Sequence, residues 1–280
     1  MSQVAIISLV LIVANVLVSY LGFNNTGFYY AYRFQVGKVL HEKDYKRLVT
    51  SGFLHSGWLH LILNMVTLFF FGYDMAAVLS GWQMLVIYFG SLLGGNLFSL
   101  YLHRNQPGYS SVGASSAVIG LVFACIALLP GMKIGLFPLP IRLPAWLYGV
   151  AFVLFSIYGI RSGKRGVGHD AHLGGALVGM LIAIALYPGV LAVNYMAILC
   201  ILLPIVFFIY AMVANPSLLL VNKLFFKSNG NYTIDQRYNV ERKEKQQEID
   251  QILDKIHKRG MGALSRKEKQ MLEEYSKNVK

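Results

Sequence analysis

The chain has 280 residues, of which 56% are hydrophobic and 14% charged, against roughly 25% charged in ordinary soluble domains. Its formal net charge is +12, but the basic residues of the C-terminal region alternate with acidic ones and form no aromatic-flanked stripe, which excludes a nucleic-acid-binding surface of the usual kind. Of the 25 Lys and Arg, 14 lie beyond residue 220, with 9 of the 13 Asp and Glu, so the earlier part of the chain suits an apolar solvent and the later part water.

A helix that crosses a bilayer needs roughly 20 apolar residues, because the hydrocarbon layer is about 30 Å thick and each residue rises about 1.5 Å. Seven stretches approach that length: 3–23, 57–73, 82–102, 115–130, 145–160, 172–187 and 191–214. The first has no basic residue ahead of it and no small-residue cleavage pattern behind it, and reads as a span, not a signal peptide. Several of the others reach only about 24 Å at helical rise, so they start below the membrane surface under loops that dip inward. Cys125 and Cys200 sit within apolar runs, where thiols behave as small hydrophobes; no disulfide framework is implied. Pro188-Gly189 separates the last two stretches.

Beyond Asn215-Pro216 the apolar density falls. Ile249, Leu253 and Ile256 recur at helical spacing on a charged segment, 241–258, which predicts an amphipathic soluble helix. Gly260 and Gly262 end it, and Ser265 with Glu268 forms a capping box for a second helix carrying Met271, Leu272 and Tyr275. The expected organisation is therefore a transmembrane domain over 1–214 and a basic tail over 215–280 holding a helical hairpin.

Ionisable and amide side chains inside spans are costly, and those that persist usually face the bundle interior and carry function. In the second span His60 and Asn64 are four residues apart and share a face. His55 lies about 140° round the helix from His60, which assigns it to the helix entry in a structural role. The fourth span opens with Gly113-Ala114-Ser115-Ser116-Ala117 and the sixth with His169-Asp170-Ala171-His172. Gly175 and Gly179 follow on the face of His172, a small-xxx-small pattern that admits a neighbouring backbone. Gly113, Ala117, Gly120 and Ala124 thin the fourth span in the same way. Close packing of these two spans brings a hydroxyl within reach of an imidazole.

A serine hydroxyl is a weak nucleophile until a base accepts its proton, and histidine suits that task. The oxyanion that follows needs donors already aimed at it, a role open to Asn64, His60 and the amide of Ser115. Taken singly, a membrane serine usually bonds back to its own helix and a buried histidine usually packs; the combination is what points to chemistry. A metal or proton carrier built on His55, His60, His169 and His172 is the rival use of the same residues. No His-Glu-x-x-His spacing supports it, and Asp170 reads better as a loop contact near the membrane surface.

These residues resemble the rhomboid family of intramembrane serine proteases over roughly 40–187. The resemblance rests on Arg47 ahead of Thr50-Ser51-Gly52-Phe53-Leu54-His55, on the His55, His60 and Asn64 spacing, on Gly113-Ala114-Ser115, and on His172 followed by Gly175 and Gly179. It implies an all-α polytopic membrane protein, a six-helix bundle with an aqueous cavity, to which the break at Pro188-Gly189 adds a seventh C-terminal helix. It further implies Ser115 as nucleophile, His172 as its base, His60 and Asn64 as oxyanion stabilisers, no metal or cofactor, and substrates that are transmembrane helices of other proteins within the lipid bilayer. A catalytically inactive, membrane-protein-binding relative is the alternative that the resemblance allows.

Three positions depart from the family pattern: Ser116 replaces the usual glycine after the nucleophile, Ile119 replaces a common aromatic, and Lys46-Arg47 stands where Trp-Arg is frequent. The loops after the first, third and fifth spans hold nine Lys or Arg, against Lys133 and Arg142 opposite. The positive-inside rule makes that richer side cytoplasmic, whereas the resemblance puts the site-bearing side outside a bacterial-type plasma membrane.

Overall fold

The structure, a computed structural model, describes residues 2–135, 142–162 and 167–214; the tail over 215–280, with its expected hairpin, lies outside the described residues. Helix α1 (Gln3–Asn24) starts where Ser2 Oγ accepts the Ala5 N–H at 3.2 Å. Asn25 both ends it and starts the next helix. Its N–H donates to Leu21 O at 2.9 Å, and its Oδ1 accepts the Phe28 N–H of α2 (Thr26–Tyr32), also at 2.9 Å. The chain then forms β1 (Phe34–Gln35), α3 (Val36–Leu40), α4 (Arg47–Thr50) and a 3₁₀ turn, Ser51–Phe53, before α5 (Trp58–Met75). Helix α6 (Gly81–Leu102) opens on a capping box formed by Ser80 and Gln83.

A long connection carrying β2 (Ser110–Ser111) leads into α7 (Ser115–Leu128). The hairpin strands β3 (Lys133–Gly135) and β4 (Arg142–Pro144) pair antiparallel and precede α8 (Ala145–Ser162), α9 (His169–Leu186), α10 (Val190–Val193) and α11 (Tyr195–Ala214). Among the described residues five helices, α1, α5, α6, α8 and α9, are long and apolar enough to cross a membrane, and α7 and the Tyr195–Ala211 stretch of α11 are shorter apolar segments. Large apolar side chains face outward, among them Leu59, Phe70 and Phe207. That inverts the usual surface of a water-soluble protein and fits helices whose solvent is lipid.

Helix α7 is the centre of the bundle: from Ser116 to Leu128 only Ile119 is not buried. Its 14 residues span about 21 Å, well short of the hydrocarbon thickness. Contacts with α6 fix the level at which it starts. A Cβ added at Gly95 would meet Ser116 Cβ at 2.7 Å and Ala171 O at 2.5 Å, so the first turns of α7 and α9 cross α6 there. Gly95 stands seven residues before Leu102, which places that level roughly 10 Å below the end of α6 at helical rise. The 103–114 connection therefore descends into the bundle.

The sequence-based boundaries mostly fall within a few residues of these helices. Helix α9 begins three residues earlier than its apolar run, because His169 and Asp170 occupy its first turn. The last expected stretch is broken at Asn194 into α10 and α11. The Asn194 Nδ2 donates to Ile126 O at 2.7 Å and Ala127 O at 3.1 Å, satisfying carbonyls that the C-terminus of α7 leaves open.

Candidate functional site

The segment before α5 is shaped by one buried cation. Arg47, 6% exposed, donates through Nη1 to Tyr30 O at 2.9 Å and Arg33 O at 2.8 Å, and through Nε to Asp44 Oδ2 at 2.8 Å. Thr50 Oγ1 adds a bond to Tyr32 O at 2.9 Å. The hydrogen bond from Arg47 holds the Asp44 carboxyl below the usual carboxylate range, against the opposing effect of burial. A depressed carboxylate stabilises the fold above its unfolded-state value, and that contribution is lost as the pH falls through the folded-state value. The arginine that the sequence motif singles out thus closes the first connection on itself, and Lys46 adds a 3.6 Å contact from Nζ to Asp44 Oδ1 and lies 5.8 Å from the centre of the Tyr32 ring.

Strands β1 and β2 pair antiparallel, Phe34 with Ser111 and Gln35 with Ser110. They tie the first connection to the segment that delivers Ser115. Gly113 continues that delivery: its N–H donates to Ser51 O at 3.0 Å, and its φ of +133° lies where only glycine is free of strain. A side chain there would also meet His60 Cε1 at 2.7 Å and Nε2 at 2.9 Å. The glycine lets the His60 ring lie against the backbone immediately before Ser115.

Ser115 is the first residue of α7 and His172 lies in the first turn of α9. The His172 Nε2 and Ser115 Oγ stand 2.7 Å apart, a full hydrogen bond. Both residues are half-buried, as is His60, so an incoming group has access to them. Small residues between α7 and α9 make the approach possible. A Cβ at Gly175 would fall on the backbone of Ser116, and one at Gly179 on the backbone of Gly120. The two helices therefore touch backbone to backbone just below the paired side chains.

Ser116 faces elsewhere. One residue turns an α-helix by about 100°, and Ser116 is 2% exposed with its Cβ toward Gly95 of α6. Its hydroxyl is enclosed among helices, and the residue in place of the usual glycine is accommodated by the glycine opposite it. The aromatic position is filled from another helix as well. The Phe152 ring of α8 lies 6.1 Å from the His172 ring at an angle of 38°, and Phe123 and Tyr148 pack on Phe152. Sequence reading noted Ile119 and missed Phe152, since nothing in spacing marks a partner on a different helix.

His55, placed by sequence at the entry of the second span, lies in the turn before α5 and is fully buried. Ser19 Oγ donates to Phe53 O at 2.9 Å, so at the 2.8 Å contact with His55 the hydrogen belongs to the ring Nδ1. Nε2 is then an acceptor and faces the Ala114 N–H at 3.5 Å, a weak contact. Its ring packs edge-on against His60, 4.9 Å between centroids. His60 Nδ1 stands 3.1 Å from Ser56 Oγ. If Ser56 donates there, Nε2 carries the hydrogen on the side of Gly113.

Asn64 is buried, and its Nδ2 donates to His60 O at 2.9 Å. Among the described residues it makes no hydrogen bond to Ser115 or His172; the second N–H of its amide is the one free to turn to a ligand. The amide of Ser115, at a helix start, has no intrahelical acceptor. Asp170 turns away from His172 and accepts from Ser99, Tyr109 and His103. His169 lies between Phe155 and the backbone of Gly159. The four histidines named by sequence thus divide into His55 and His60 in one contact pair and His169 and His172 in another, 6.3 Å between ring centroids. Among the described residues no group of three or more His, Cys, Asp or Glu side chains is arranged to hold a metal ion.

Residues 42–189 match the family model of the Rhomboid domain, and residues 232–278 match a family of unknown function, DUF6576. The chain is 33% identical over 157 residues to "Rhomboid protein 1, mitochondrial" of Saccharomyces cerevisiae, covering 54% of this chain and 45% of that protein. It is 32% identical over 198 residues to "Rhomboid protease AarA" of Providencia stuartii, covering 63% of this chain and 70% of that one. It is also 38% identical over 81 residues to "Inactive RHOMBOID-like protein 8" of Arabidopsis thaliana, covering 29% and 23%. The chain spans under half the length of the yeast relative. With a helical membrane fold, a rhomboid-domain match over more than half its length and relatives of that name in bacteria, yeast and plants, the chain belongs to the rhomboid family.

Proposed function

We propose that the protein is an intramembrane serine endopeptidase that cuts transmembrane helices of other proteins. The observation that carries this reading is the 2.7 Å contact between His172 Nε2 and Ser115 Oγ at the start of two helices in backbone contact. In the reaction Ser115 Oγ attacks the scissile carbonyl carbon as its proton passes to His172 Nε2. The negative charge on the carbonyl oxygen is met by the His60 Nε2–H, the free N–H of Asn64 and the amide of Ser115. Collapse breaks the C–N bond, and the proton on His172 goes to the leaving amine. Water then attacks the acyl-serine ester, giving its proton to His172, and the released Ser115 recovers its own. No cofactor takes part. The half-buried pair lies below the end of α6, a depth suited to a substrate helix that has unwound locally.

A cleavage assay with a labile reporter helix in vesicles tests the reading, together with labelling by a fluorophosphonate and mapping of the modified residue. Modification of Ser115 supports it; modification of Ser116, or product formation with no serine modified, overturns it. Replacing Asn64 with Ala is expected to lower kcat about 10²-fold, the usual effect of one lost oxyanion donor, because its hydrogen bond to His60 O leaves one donor for the reaction. Single-turnover kinetics in the same vesicles measures it.

The second reading is a catalytically inactive binder or escort of membrane proteins, and the Arabidopsis relative named as inactive favours keeping it in the test. A binder yields a complex with the reporter helix and no product. A bacterial-type plasma membrane is the proposed location, supported by the Providencia relative; the yeast relative is mitochondrial by name, and fractionation of a tagged chain decides between these membranes.

A further inference from the structure

The first turn of α9 carries a second buried ionisable group. Asp170 is 5% exposed and stands two residues before His172. A buried carboxylate is costly unless donors surround it, and here three side chains outside its own helix supply them. Ser99 Oγ near the end of α6 donates to Asp170 Oδ2. Tyr109 OH lies 3.2 Å from Oδ2 and 3.3 Å from Oδ1. His103 Nε2 lies 3.2 Å from Oδ2. The Tyr109 ring stacks on His103, 3.6 Å between centroids and 7° from parallel.

The other side of the same segment is also held. Val36 N donates to Tyr109 O at 3.0 Å, Gly37 N donates to Pro107 O at 2.9 Å, and β1 pairs with β2 immediately afterwards. The descending connection that delivers Ser115 is therefore clamped between the first connection and one carboxylate on the helix that delivers His172. A helix that needed only a satisfied first turn would not require an acceptor shared among three side chains of neighbouring elements.

We infer that Asp170 is a positioning residue for the Ser115–His172 pair: by holding Tyr109, His103 and Ser99 it sets the 103–114 segment, and with it Ser115, at the distance and angle that proton transfer to His172 needs. The inference rests on the proposed roles of Ser115 and His172. A misplacement of about 1 Å in such a pair costs about 10²-fold in rate, so the geometry held by Asp170 acts on the chemical step and not on the docking of a substrate helix.

The test uses the full chain in vesicles with the reporter helix, and counts competent sites by fluorophosphonate titration. Asp170→Ala is expected to lower kcat per titrated site by about 10- to 100-fold while KM stays within about twofold. Tyr109→Phe, which keeps the ring on His103 and removes only the hydroxyl donor, is expected to show the same split in smaller degree, and it carries the test if Asp170→Ala does not fold. A variant that turns over at the wild-type rate per titrated site, even with fewer sites titrating, would make Asp170 a staple of the fold only and overturn the inference. So would a fall in Asp170→Ala that Tyr109→Phe and Ser99→Ala do not share. Failure of the underlying reading looks different: the parent chain would then give no product, or Ser115→Ala would cleave, whatever the Asp170 variants do.

Discussion

Ser115→Ala is expected to abolish cleavage of a reporter helix, by at least about 10³-fold, in a chain that folds and inserts as before. The change removes one oxygen from a half-buried position, and the backbone contacts of α7 with α9 do not involve it. Ser116→Ala is expected to cleave within about twofold of the parent, since its side chain is enclosed against Gly95 and lies about 100° round the helix from the imidazole. His172→Gln keeps a side-chain donor and loses the base, and its loss should match that of Ser115→Ala. The double variant should then be no slower than either single one, because two groups that act as a unit are lost together. Reporter cleavage scored beside the circular dichroism of each variant checks all three. Turnover by Ser115→Ala with none by Ser116→Ala would move the reacting hydroxyl by one residue and contradict the contact at 2.7 Å.

The residues of this site stand out in the sequence for one reason: a hydroxyl, an amide and imidazoles in apolar spans are conspicuous against so few charged neighbours. Ser115, His172, His60 and Asn64 can be named from that contrast, and the small residues Gly175 and Gly179 explain how two helices approach. The structure adds what spacing does not encode. Phe152 reaches the His172 ring from α8, a helix whose position beside α9 follows from packing alone. Arg47 is legible as a residue, yet its acceptors are carbonyls of Tyr30 and Arg33, and a backbone oxygen leaves no mark on a sequence. The short elements α2, α3 and α4 and the β1–β2 pair were not read for a related reason. Their lengths of two to seven residues give too few periods for hydrophobic patterning to register. The sequence marks Asp170 as a loop contact near the membrane surface, and it does bond to the 103–109 segment; that it is 5% exposed and shared by three side-chain donors follows only from the fold.

Gly179→Val is expected to damage the fold and the site together. A Cβ at this position would sit on the backbone of Gly120, and backbone atoms cannot rotate aside as a side chain can. The two helices must part instead. Overpacking of a tight interface typically costs about 1–3 kcal/mol, and in a membrane, where lipid is as apolar as the helices, close packing is much of what holds them together. The separation is also transmitted to the site, because His172 lies seven residues before Gly179 on the same helical face and its partner is on the helix being pushed away. A shift of about 1 Å there is worth about 10²-fold in rate, so Gly179→Val should lose activity by more than that, beyond any loss of folded protein. Gly179→Ala should fall between, and Gly189→Ala, at a glycine with nothing within 4 Å of an added Cβ, should be neutral in both respects. Thermal unfolding in detergent and reporter turnover per titrated site separate the two effects. A Gly179→Val chain with the parent's melting temperature and rate would show that α7 and α9 are not in backbone contact, and the approach of Ser115 to His172 would need another cause.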